Sequence, residues 1–176
     1  MIIGLAVTHL ILGLVGLVQA RDQTKAYWVH LIWVLFMLSW LTEFWWFFFS
    51  WRDLPSWSIG TFRFFLVYAL VLSLGAGLLF PIRMAVEDYR AFFFDNARWF
   101  FGLLVCSQVI DIVEVYRKAD LGIRAVPEYY LPSIAVLLLG LLVAMFSRNE
   151  KYHGVFAPLA LVWTFGYAAA VFTLTI

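Results

Sequence analysis

The chain has 176 residues, of which 65% are hydrophobic and 13% charged, with a formal net charge of +1. Soluble domains carry about 45–50% apolar residues, so an apolar surplus this large has to face lipid. Near-neutrality gives no basis for a nucleic-acid partner, and a single cysteine, Cys106, excludes an intrachain disulfide or a cysteine metal cluster.

Taken from the N-terminus, apolar run length predicts six transmembrane helices in one bundle, an all-α fold in a single domain covering 1–176. The spans fall at approximately 2–19, 26–50, 59–82, 98–116, 129–147 and 154–176, each near the 17–25 residues a bilayer needs. The first run, Ile2 to Val18, has no basic segment before it and no small-residue cleavage pattern. It therefore reads as an uncleaved span. Turn chemistry separates the runs, as at Arg52-Asp53-Leu54-Pro55-Ser56 and Ser147-Arg148-Asn149-Glu150. Pro132 and Pro158 are expected in the first turns of the fifth and sixth spans, where proline is tolerated.

Between the third and fourth spans, residues 83–97 embed Phe92-Phe93-Phe94 among charges. The expectation is an interfacial segment with the phenylalanines dipped among the headgroups. Lysines and arginines number seven in the odd loops (Arg21, Lys25, Arg83, Arg90, Arg98, Arg148, Lys151) and four in the even ones (Arg52, Arg117, Lys118, Arg124). That bias predicts cytoplasmic odd loops and both termini outside.

The second span is dense in rings. Trp28, Trp45, Trp46 and Trp51 suit the membrane interfaces, while Trp33 and Trp40 lie deeper. The deeper pair either packs between helices or, with His30, lines a site for a hydrophobic ligand. His30 and Glu43 are 13 positions apart, roughly 20 Å along a helix, so they share no site through this span alone. His9 falls near the middle of the first span, as a candidate proton relay or a side chain satisfied by Thr8 or a carbonyl.

Glu43, Arg63, Asp111 and Glu114 come from three spans, yet alternating helix direction places them at similar depth. Ser107, Asp111, Glu114 and Lys118 follow helical spacing on the fourth span, with Gln108 adjoining. Ionised groups in hydrocarbon cost at least about 2.5–3.5 kcal/mol, so such residues are expected to face protein or water. Two readings follow. The carboxylates form a cation or proton pathway tuned by Arg63, or they are structural, with Glu43 paired to Arg63 and Glu114 to Arg117 or Lys118.

No HExxH, Walker A, GxSxG or GxGxxG pattern occurs, and three histidines in three segments supply no metal-binding box. The sequence leaves any cofactor unidentified. The functional expectation is a small channel or carrier for a cation or proton, embedded in the lipid bilayer and self-associating. The alternatives are a membrane enzyme or sensor for a hydrophobic ligand, or an accessory subunit of a larger complex. Gly140-xxx-Ala144 and Gly166-xxx-Ala170 suit close helix contacts within one bundle or between subunits.

Overall fold

A computed structural model describes residues 1–52, 54, 56–82 and 86–173, with side chains through Ala169. Six helices follow one another: α1 Ile2–Gln19, α2 Trp28–Phe49, α3 Ile59–Gly77, α4 Tyr89–Asp120, α5 Tyr130–Phe146 and α6 Glu150–Thr173. α1 to α4 are each long and apolar enough to cross a membrane, and α5 is a shorter apolar helix of 17 residues. The fold is all-α, the six-helix bundle of a multi-pass membrane protein.

Local chemistry sets several helix starts. The Ser58 hydroxyl accepts from the Thr61 N–H at 3.1 Å and opens α3. Asp88 accepts from Arg90 and Ala91 at the head of α4, and Asn149 accepts from Lys151 at the head of α6. Pro132 sits in the first turn of α5 as expected, but α6 begins earlier than the sequence suggests. Pro158 is therefore interior to it, and one helical hydrogen bond is forgone there.

α2 is central. It packs chiefly on α6, while α4 packs on α5 and α3, and α1 lies against α3. Trp33, Phe36, Trp40 and Phe44 of α2 face inward, and Trp33 meets Phe36, Phe100, Phe101 and Phe156 at centroid distances of 5.0–5.7 Å. Gly140 leaves room for the Phe156 ring, and its carbonyl accepts from the Tyr152 hydroxyl at 2.6 Å. The Gly140–Ala144 pair therefore serves contacts inside the bundle. Cys106 is exposed rather than packed.

The expected interfacial segment over 83–97 overlaps the first turns of α4. Residues 83–85, including Arg83, lie outside the described residues, and from Tyr89 the chain is already α4. Tyr89, Phe93 and Ala97 recur at helical spacing and are buried, while Arg90 is exposed between them. Phe93 and Phe94 pack on Tyr27 and His153. With 32 residues, α4 is about 48 Å long, against a hydrocarbon thickness of about 30 Å, so it extends beyond the core. Backbone bonds from Lys25 N–H to the Glu87 carbonyl and from Tyr89 N–H to the Lys25 carbonyl tie the α1–α2 loop to its head.

Candidate functional site

The polar face of α4 points into the bundle. Ser107, Gln108, Asp111, Glu114 and Lys118 are all buried, although they lie on a helix that meets lipid elsewhere. Such placement is expected when each polar group would otherwise sit in hydrocarbon. Neighbouring helices provide the partners. Asp111 Oδ2 accepts from the Tyr130 hydroxyl of α5 at 2.9 Å, and Oδ1 accepts from the Tyr68 hydroxyl of α3 at 3.3 Å.

One turn on, Glu114 Oε1 accepts from the Trp51 indole N–H at 2.6 Å and pairs with Lys118 Nζ at 2.6 Å. The ammonium also reaches the Phe47 carbonyl at 3.4 Å and lies over the Phe47 and Trp51 rings. The lysine is thus enclosed by rings, a carbonyl and a carboxylate. Glu114 is thus ion-paired to Lys118, one of the two partners the sequence offered.

The chain after α4 folds back over this end. Gly122, at φ 69°, adopts the left-handed conformation that lets the backbone reverse. The N–H groups of Ile123 and Arg124 then return to the Lys118 carbonyl at 2.9 and 3.4 Å. Beneath this turn lies a narrow pocket of about 30 Å³ whose walls include Asp111, Glu114, Lys118, Arg124 and Tyr167. Its volume suits about one water-sized guest.

Glu43 contributes from α2. It is 6% exposed, its Oε2 has no hydrogen-bond partner, and it lies within the electrostatic field of Asp111. Both polar atoms of the Gln108 amide are likewise buried without a partner. An unsatisfied buried polar atom costs about 1–3 kcal/mol, so these groups form an unsaturated polar layer beside Asp111.

Arg63 does not join the layer. The inner face of α3 is Thr61, Phe65, Tyr68, Ala69 and Leu72, and Arg63 is exposed without an ion pair to Glu43. Two positions from Phe65, it points roughly 200° away from that face. The cations in the pocket wall are Lys118 and Arg124. His9 is also remote from it: its Nε2 meets the Phe80 carbonyl at 3.2 Å, in a larger cavity of about 540 Å³ between α1 and the chain following α3.

His30, Trp33 and Trp40 are 1%, 0% and 1% exposed. His30 is boxed by Phe80, Tyr89, Phe92 and Phe93, and Trp40 is stacked between Phe36 and Trp163. Protein rings pack against all three side chains.

Sequence reasoning missed Tyr68, Tyr130 and Trp51 as donors to the carboxylates. Only their type and depth could have marked them, because a buried Tyr or Trp places an O–H or N–H where a carboxylate can receive it. Among the described residues no group of three or more His, Cys, Asp or Glu side chains is arranged to hold a metal. No protein-family model, curated protein or solved structure matches the chain.

Proposed function

We propose that the chain is a small membrane carrier for a proton or a monovalent inorganic cation, which it loads at Asp111. The observation that carries this reading is the setting of Asp111. It is 3% exposed, in the wall of a water-sized pocket, and held by two phenols rather than by a cation. The adjacent lysine is committed to Glu114. Lys118 and Arg124 share the pocket wall, but no salt bridge to Asp111 forms among the described residues, which leaves its carboxyl group open to a small cation.

The pocket volume favours a proton or a small ion over an organic solute. Glu43 and Gln108 offer oxygen ligands on the inner side, in the role first expected of a converging carboxylate layer. Deeper still, Trp33, Phe36, Phe100, Phe101 and Leu104 fill the bundle with at most 2% exposure. Passage across that packed layer needs a rearrangement of the helices, which supports a carrier over an open channel. The lysine and arginine bias toward the odd loops supports a pocket on the non-cytoplasmic side.

The test is ion-driven flux into proteoliposomes containing a pH-sensitive dye. Asp111→Asn is expected to keep its helicity and elution volume while losing flux at least tenfold. Undiminished flux in that variant removes Asp111 from any transport role.

A further inference from the structure

A metal ion and a proton are the two guests open to the Asp111 pocket, and the atoms around the carboxyl group separate them. A hard metal cation stripped of its water has to be held by several oxygen ligands at once. Asp111 already accepts from Tyr130 and Tyr68, and Glu114 Oε1 takes both the Trp51 indole and the Lys118 ammonium. Much of the remaining wall is apolar, from Phe47, Val115, Ala125 and Pro127. A volume of about 30 Å³ holds about one water-sized guest and excludes a hydrated ion. A proton takes no space and needs a single acceptor.

Inward from Asp111 the polar groups suit onward movement of a proton. Gln108, three residues earlier on the same helical face, is 0% exposed, and neither its amide nitrogen nor its oxygen has a hydrogen-bond partner. Glu43 of α2 is 6% exposed, feels the charge of Asp111, and keeps Oε2 without a partner. An orphaned amide N–H and an orphaned carboxylate oxygen in one layer match a water, which accepts from the first and donates to the second. The other titratable or charged groups facing Asp111 are Tyr68 of α3, Tyr130 of α5, Tyr167 of α6, Glu114 and Lys118 of α4, and Arg124 after it. The phenols hold their protons near neutral pH, and Glu114 is committed to Lys118. Among the described residues Glu43 is therefore the acceptor for a proton moving inward.

Resting on the carrier reading, we propose that the cargo is a proton and that Glu43 is its next station, reached through a water held by the Gln108 amide. In that step the Asp111 O–H bond breaks as the water oxygen takes the proton. One O–H bond of the water breaks as Glu43 Oε2 takes another. The water is regenerated, Asp111 is left as a carboxylate, and Glu43 becomes the neutral acid, the cheaper form of a carboxyl group away from water. Gln108 acts through the bridging water and is a positioning residue.

The test is acidification of proteoliposomes holding a pH-sensitive dye, driven by a pH gradient in N-methylglucamine buffer with thiocyanate as permeant counter-ion and empty liposomes subtracted. Flux is expected to stay within twofold when sodium or potassium is added. Glu43→Gln, which keeps the shape but not the acid, is expected to lose flux at least tenfold. Glu43→Asp, which keeps a proton acceptor, is expected to recover at least threefold over Glu43→Gln. Gln108→Leu replaces an unsatisfied amide by an apolar group of similar size, a change close to neutral for stability. It is expected to keep its thermal midpoint and lose flux at least fivefold.

Flux that appears only with sodium or potassium overturns the proton as cargo. Undiminished flux in Glu43→Gln or in Gln108→Leu, or equal loss in the two Glu43 variants, overturns the handover. Each of these results leaves the carrier reading standing as long as Asp111→Asn abolishes flux, whereas undiminished flux in Asp111→Asn removes that reading itself.

Discussion

The hydroxyl of Tyr130, the first residue of α5, donates to Asp111 of α4 at 2.9 Å and pins the two helices together across the even-loop end of the bundle. Tyr68 donates to the other carboxylate oxygen from α3, at the longer distance of 3.3 Å. Three helices thus share one carboxyl group. Removing a partner from a buried acceptor costs about 1–3 kcal/mol, more for the shorter bond. Tyr130→Phe is expected to lower the thermal midpoint in detergent by more than Tyr68→Phe does. Equal midpoints for both variants and the wild type would show that Asp111 needs neither phenol.

Lys118 and Glu114 give a second prediction, about stability rather than transport. Breaking a buried pair from one side leaves a naked charge and costs about 3–5 kcal/mol, whereas replacing both partners is often close to neutral. Lys118→Met is expected to be severely destabilised, and Glu114→Gln/Lys118→Met to recover most of the loss while retaining flux. Thermal denaturation of the three variants, with dye flux on the double, checks this. A double variant as unstable as the single one would mean that Lys118 acts through the Phe47 and Trp51 contacts instead.

How much of this the sequence discloses varies by element. α1 matches its expected bounds because lipid-facing helices are apolar almost all round, and run length suffices there. α4 does not, since averaging over Arg90, Asp95 and Arg98 conceals the inward series Tyr89, Phe93, Ala97. Depth was legible for Glu43, Asp111 and Glu114 because helix direction alternates. Facing was harder. Arg63 has the right height but the wrong side, a distinction carried by its spacing from Phe65 and Tyr68 rather than by its charge. The phenol donors were not legible at all, because nothing in the local pattern around Tyr68 or Tyr130 says which helix it meets.

His30 provides a third prediction. Neither ring nitrogen has a hydrogen-bond partner, and four aromatic rings surround it. Exchanging an unsatisfied polar ring for an apolar one of similar shape is close to neutral or stabilising. His30→Phe is expected to leave flux unchanged and to hold or raise the thermal midpoint. A fall of several degrees, or loss of flux, would assign His30 a polar role that its packing does not reveal.

On the carrier proposal, the carboxyl group of Asp111 gains and loses its guest from the aqueous side of the pocket. Infrared difference spectroscopy of the protein in lipid, recorded while pH or external cation concentration is stepped, reads that event at the group itself. A reversible carboxyl band is expected in the wild type, persisting in Glu114→Gln/Lys118→Met and vanishing in Asp111→Asn. A spectrum with no such band, or one unaltered in Asp111→Asn, would contradict it.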